Sequence, residues 1–239
     1  MLVIRSLIFF IGYATLTILY GSSTLLIWAL PKTTRHKFIT SWTRVIIAWL
    51  RIVCNIQYQV VGREYLDPST PMVVLSKHQS AWETILLQGL YWPATTVLKK
   101  ELLRIPFFGW GISAIRPIAI DRSNPRAALK QVKLQGTERL NDGLNIIIFP
   151  EGTRVASGES STYARSGADI AVSAGVNIQA VAINAGECWP RGFLKYPGTI
   201  TVKISPPISC EGSSSKTLTQ TAKTWIDAEM TKMGSPLKK

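Results

Sequence analysis

Met72-Val73-Val74-Leu75-Ser76 runs directly into Lys77-His78-Gln79-Ser80-Ala81-Trp82-Glu83, and this junction decides the fold. The first five residues carry no charge and have the length of a short buried strand. Residues 81–90 then place apolar side chains at helical spacing. A strand that leaves through a short loop and re-enters as a helix is the repeating unit of an α/β fold, and its carboxyl end is where such folds hold ligands. The alternation continues downstream. Residues 117–120 and 145–149 read as strands, with a helix over 126–140 between them. That helix is expected to turn Ala127, Ala128, Val132, Leu134 and Leu140 to the core. A short helix over 167–174, strands over 178–183 and 199–204, and an amphipathic helix over 217–233 close the pattern. The fold class is α/β, a mostly parallel sheet flanked by helices.

Upstream, the texture changes. Residues 6–31 contain no charge, and residues 7–30 are long and apolar enough to cross a hydrocarbon core of about 30 Å. A cleaved signal peptide fits less well, with Arg5 as its whole charged flank and no small-residue cleavage site. From Lys37 to Asn55 the pattern is amphipathic. Lys37, Thr40, Arg44, Arg51 and Asn55 share one stripe, surrounded by aliphatic and tryptophan side chains. Such a helix suits a membrane interface, the alternative being a helix packed on the globular core. Arg5, Lys32, Arg35, Lys37, Arg44, Arg51 and Arg63 all precede the first acid, Glu64, which points to anionic lipid headgroups. The basic cluster 32–37 places that flank on the cytoplasmic side, with His36 read as a surface residue. The expected organisation is a membrane-associating pair of helices over 1–55, an α/β domain over 56–233 and a flexible tail over 234–239.

At 239 residues and 46% hydrophobic, the chain supports one sizeable core with a membrane-contacting segment attached. The net charge of +13 calls for an anionic partner. Nucleic acid is excluded, since it explains the charge but not the apolar first helix, and the interior basic residues sit at strand ends rather than along one helix face. Cys54, Cys188 and Cys210 are scattered, without disulfide or metal-ligand spacing.

Chemistry concentrates after the strands. His78 stands at a strand end, five residues before Glu83. A carboxylate on one ring nitrogen fixes the tautomer and leaves the other nitrogen basic. After the strand at 145–149 comes Pro150-Glu151-Gly152-Thr153-Arg154, in which glycine permits a tight turn and Thr153 and Arg154 offer donors to a phosphate or an oxyanion. Arg122 ends a third strand, and Lys100 opens a charged stretch before Ile105-Pro106-Phe107-Phe108-Gly109-Trp110. Gly109-Trp110-Gly111-Ile112-Ser113-Ala114 resembles a dinucleotide fingerprint only superficially, because no buried strand precedes it. The chain also lacks the G-x-S-x-G of serine hydrolases and suitably spaced zinc ligands.

Four blocks in order, HQSAWE, KKELLRIPFFGW with IRPIAIDR, FPEGTR and VAINAGECWPRGFLKYPG, resemble the glycerolipid acyltransferase family over residues 62–208, and within it the bacterial members that acylate lysophosphatidic acid. The family's usual first motif is His, four residues, Asp; here the acid is Glu83, one methylene longer. The resemblance implies a mechanism in which His78, oriented by Glu83, deprotonates a glycerol hydroxyl that attacks a thioester. Acyl-CoA or acyl-carrier protein would serve as co-substrate, with no cofactor. It implies substrate binding by Arg122, Glu151, Gly152, Thr153, Arg154 and Lys100. It further implies membrane phospholipid and lysophosphatidic acid as partners, and an inner-membrane protein whose catalytic domain faces the cytoplasm. The alternatives are an acyltransferase for another lysophospholipid or glycerol-phosphate acceptor and a non-catalytic membrane scaffold on the same fold, the latter opposed by the intact His78, Glu83, Arg122 and Arg154.

Overall fold

A computed structural model describes residues 1–121 and 123–234; Arg122 and most of the expected tail, residues 235–239, lie outside it. Among the described residues, the strands are β1 (Ile56–Val61), β2 (Val73–Ser76), β3 (Ala94–Lys99), β4 (Ile118–Ile120), β5 (Asn145–Ile148), β6 (Ile178–Ile183) and β7 (Gly198–Ile204). They form one sheet in the order β1-β7-β6-β2-β5-β3-β4. Every neighbouring pair is parallel except β6 with β7. The helices are α1 (Leu2–Leu26), α2 (Lys32–Cys54), α3 (Trp82–Leu90), α4 (Phe108–Ser113), α5 (Pro125–Asn141), α6 (Ser166–Ala174) and α7 (Ser215–Lys232).

The central strands β2, β5 and β6 are buried throughout and mostly apolar because both of their faces are covered. Val74, Ile147, Val181 and Ile183 point into a core shared with α2 and α3. Their sequence neighbours Val73, Leu75, Ile146, Ile148, Ala180 and Ala182 point into a second core with α5, α6 and α7. The switch at every residue is the pleat of the strand.

The first helix lies along the body rather than away from it. Near its start, Ser6 Oγ accepts the backbone N–H of Lys195 at 2.9 Å, and the Phe9 ring meets Trp189 edge-on at 5.1 Å. Near its end, Gly21 lets the helix touch the α4 loop, where a Cβ would fall 2.3 Å from the Phe107 carbonyl oxygen. Ile4, Leu7, Ile8, Ile11, Ile18 and Leu19 form an exposed apolar stripe on the opposite side. Against α1 and α3, α2 buries Ile46, Leu50 and Cys54, while Lys37, Arg44 and Arg51 remain exposed. It therefore combines a core-packing face with a basic outer face.

Four side chains differ from the sequence expectation. His36 is buried, its Nε2 2.9 Å from the Ala94 carbonyl oxygen, because the start of α2 lies over β3. Thr40 is buried and lines the cavity described below. On α5 the core stripe is Ala128, Val132 and Leu140; Leu134 is turned outward and 70% exposed, and Ala127 is also exposed. The i, i+4 spacing from Ala128 selects that face, and Leu134, two residues past Val132, falls on the other.

Candidate active site

β2 and β5 are parallel neighbours, with Leu75 beside Ile148, so the segments that follow them leave the sheet together. One carries His78 and the other Phe149. Their rings stack with centroids 4.2 Å apart. β6, on the other side of β2, leads into a third loop that is tied in by Gly186 N–H donating to Gln79 Oε1 at 3.1 Å. Three loops thus meet at the carboxyl edge of the parallel strands, where an open α/β sheet exposes backbone and side chains to a ligand.

His78 Nδ1 lies 2.9 Å from Glu83 Oε1. The same oxygen accepts the backbone N–H groups of Gln79 at 2.7 Å and Ser80 at 2.6 Å. Glu83 is the second residue of α3 and fully buried, so the positive end of the helix and three donors offset the cost of enclosing its charge. With a carboxylate accepting at Nδ1, that nitrogen carries the proton and Nε2 is left as the basic atom. His78 keeps 15% of its side chain exposed, enough to reach a substrate.

Glu151 stands behind the site rather than in it, contrary to the expectation of substrate contact. Its Oε1 pairs with Lys77 Nζ at 2.5 Å, and its Oε2 accepts the backbone N–H of His78 at 2.7 Å. Lys77 Nζ also donates to the Glu159 carbonyl at 3.1 Å. Both side chains of the pair are sealed from solvent. Burial pushes the Glu151 carboxyl above its usual range, while the Lys77 ammonium and the His78 amide pull it back. Its oxygens are spent on holding Lys77 and the His78 loop.

Beyond Glu151 the loop turns outward. Gly152 adopts a φ of +70°, a left-handed conformation that favours glycine, and its N–H closes the turn onto the Phe149 carbonyl at 3.0 Å. Thr153 and Arg154 follow, exposed, and both line a cavity of about 530 Å³ together with His78. Arg191, from the loop after β6, joins them; its guanidinium donates to Thr153 Oγ1 at 3.2 Å and to the Arg154 carbonyl. The mouth therefore carries two guanidinium groups beside the imidazole. Deeper in, the walls come from Tyr20 of α1, Ile39 of α2, Ile85 of α3, and Phe108 and Ile112 of α4. A cationic mouth over an apolar interior suits an amphiphile with an anionic head, and the volume falls within the roughly 300–1,000 Å³ usual for small-molecule sites.

Lys100 is exposed at the start of a 3-10 turn (Lys100–Arg104), and it is the preceding Lys99 that lines the cavity. Arg122 lies outside the described residues. Sequence reasoning missed Arg191 and the Lys77–Glu151 pair. Arg191 sits in an irregular loop without periodicity, and its one signal was membership of the VAINAGECWPRGFLKYPG block. For Lys77 the signal was a lysine directly after a buried strand, which needs a buried acid on the adjacent loop.

The acyltransferase family model matches residues 57–184. A 1-acyl-sn-glycerol-3-phosphate acyltransferase of Pseudomonas aeruginosa is 42% identical over 240 residues, covering 98% of this chain and 93% of that protein. The 1-acyl-sn-glycerol-3-phosphate acyltransferase alpha of Mus musculus is 27% identical, covering 71% of this chain and 61% of that protein. In fold, the chain is similar to the crystal structure of the 1-acyl-sn-glycerophosphate acyltransferase PlsC from Thermotoga maritima, with a TM-score of 0.83 at 23% identity, covering 100% of this chain and 98% of the other. The matched segment holds His78, Glu83 and the loop from Phe149 to Arg154, and the Pseudomonas relative extends the match to nearly the whole chain: this protein belongs to the acyltransferase family.

Proposed function

We propose that this chain transfers a fatty acyl group from a thioester carrier, acyl-CoA or acyl-carrier protein, to the sn-2 hydroxyl of lysophosphatidic acid, yielding phosphatidic acid. The observation that carries the reading is a His–Glu pair at the mouth of a cavity that is cationic outside and apolar within. The names of the Pseudomonas and mouse relatives support the acceptor.

In the proposed reaction, His78 Nε2 takes the proton of the acceptor hydroxyl. The oxygen attacks the thioester carbonyl, and Glu83 stabilises the imidazolium that forms. As the tetrahedral intermediate collapses, the carbon–sulfur bond breaks and the departing thiolate takes the proton from His78. The hydroxyl is itself the nucleophile, so no acyl-enzyme forms and the carrier is a co-substrate rather than a resident cofactor. General base catalysis of this kind supplies about 100- to 10,000-fold. Arg154 and Arg191 hold the acceptor phosphate, with Arg122 assigned to the same task by the resemblance of its block. Thr153 and Gly152 shape their approach. The cavity takes acyl chain, and the exposed stripe of α1 enters one leaflet of the membrane in which the lipid substrate resides. The basic flank at Lys32, Arg35 and Lys37 favours the cytoplasmic side of the inner membrane.

The test is transfer from labelled acyl-CoA, and separately from acyl-carrier protein, to a panel of lysolipids in detergent micelles. Lysophosphatidic acid should give the highest kcat/KM. Preference for a lysolipid with a zwitterionic head would replace the acceptor assignment, and absence of transfer to every lysolipid from either donor would remove the reading.

A further inference from the structure

A second concavity lies across the α2–α3 packing from the catalytic cavity. Its volume is about 720 Å³, and of its lining residues Thr43 alone also lines the first. Arg44 and Arg51, seven residues apart on one face of α2, stand on one side of it. Arg63 reaches it from the turn after β1, where Gly62 at φ +88° redirects the chain. Tyr58 of β1 adds a hydroxyl, and Leu86 and Leu90 of α3 supply apolar lining. Ile52, also in the lining, is 75% exposed.

Among the described residues, no carboxylate lies within ion-pair distance of Arg44, Arg51 or Arg63. Some other surface cations, Arg116, Lys203, Lys223 and Lys232, do meet a carboxylate. Three unpaired guanidinium groups from two separate segments around one groove repel one another and have donors to spare. Their planar forks match phosphoryl oxygens. A free phosphate would leave Ile52 and the leucines uncovered, whereas a phospholipid brings its anionic head to the arginines and its glyceryl and acyl carbons to the apolar lining.

We infer that this groove is a second, non-catalytic site for the phosphoryl headgroup of an anionic membrane phospholipid. It rests on membrane association but not on the acyl-transfer chemistry, and its arginines are not those of the catalytic mouth.

The experiment compares the full chain with two triple variants, Arg44→Gln/Arg51→Gln/Arg63→Gln and a charge-matched control, Lys130→Gln/Lys133→Gln/Lys216→Gln, on exposed faces of α5 and α7. Binding is read by vesicle flotation on phosphatidylcholine alone and with about one fifth phosphatidylglycerol. At about 1 kcal/mol per basic residue near an anionic surface, the groove variant should lose roughly tenfold to a hundredfold of the preference for anionic vesicles, and the control much less. Activity on micellar acceptor should stay at the wild-type level in both. Melting curves check the fold, and the single substitutions Arg44→Gln and Arg51→Gln should give graded losses. Equal losses in the two triple variants would make the effect diffuse charge and overturn the site. So would release of the wild type from anionic vesicles by millimolar glycerol 3-phosphate, which would identify a free-phosphate site. A parallel fall in micellar activity would make the groove part of the acceptor site and equally overturn the proposal.

Discussion

Glu83 approaches His78 from the first turn of α3, and its position there explains how a glutamate fills a place usually taken by aspartate. The longer side chain folds back so that one oxygen meets the imidazole and the amides of Gln79 and Ser80 together. Glu83→Gln removes the charge that orients and stabilises the ring, and can turn an amide N–H toward donors. Turnover should drop about 100-fold or more, within the span attributed to general base catalysis. Glu83→Asp retains the charge but draws it away from three donors at once, so it should keep a measurable fraction, below wild type. If kcat for the glutamine variant matched that of the aspartate variant, the carboxylate would be a feature of the turn alone. The pair was legible in the sequence because both residues flank one strand end. His36 was not, since nothing local announces that β3 passes over it. Burial holds its pKa at about 4, against an ordinary value of 6.5. Between those values the unfolded chain binds a proton that the folded chain refuses. The stability this contributes is complete above about pH 6.5 and declines as pH falls toward 4, by up to about 1.4 kcal/mol per pH unit. Melting of His36→Gln, which keeps an N–H donor without a titrating ring, should depend less on pH across that window. Parallel curves for the two proteins would exclude His36 as the source.

At the level of elements, the site depends on two loops locked behind it. Lys77 and Glu151 come from the ends of β2 and β5, and the pair also holds the His78 amide. Removing one partner leaves a charge buried alone, so Glu151→Ala should cost about 3–5 kcal/mol in a denaturant melt. The double variant Lys77→Met/Glu151→Leu should recover most of that loss, because an apolar pair of similar volume tolerates burial. It should not recover turnover, since the His78 N–H has lost its acceptor and the loop its register. Recovery of kcat along with stability would reduce the pair to a scaffold. The strands that carry these loops were readable as apolar runs, being covered on both faces. β1 and β3 were not. In β1 the outward positions Gln57, Tyr58 and Gln59 are exposed on a sheet edge, so no apolar run marks it. In β3 the centre is Thr95-Thr96, polar in sequence but satisfied inside, with hydroxyls donating to the carbonyls of Arg116 at 3.1 Å and Ile147 at 3.0 Å.

On the scale of the whole molecule, the apolar first helix was legible as a membrane element by length, but its attitude is set by contacts no local pattern encodes. Ser6 and Phe9 are tied to the loop after β6, Gly21 to the α4 loop, and Phe9, Ile46 and Leu50 share the core with the sheet. Deleting residues 1–55 therefore opens the core as well as removing the proposed anchor, and cannot separate the two roles. Substitution on one side of α1 can. Leu7, Ile8, Ile11 and Ile18 are 44–59% exposed and face away from the body. Burying such side chains fully is worth about 1.5–3 kcal/mol each; with roughly half of each still to bury, the four together supply about 3–6 kcal/mol to the membrane, a hundredfold or more in partitioning. Leu7→Gln/Ile8→Gln/Ile11→Gln/Ile18→Gln should move to the soluble fraction in a carbonate wash, while its melting temperature and its turnover on micellar acceptor stay near wild type. Phe9→Ala, on the buried side of the same helix, should behave in the opposite sense. It loses about 3–5 kcal/mol of stability yet remains in the pellet, because the outward stripe is intact. Retention of the four-glutamine variant in the pellet after the wash would assign the anchor to another surface, and loss of folding in that variant would mean that the stripe is covered by protein rather than by lipid.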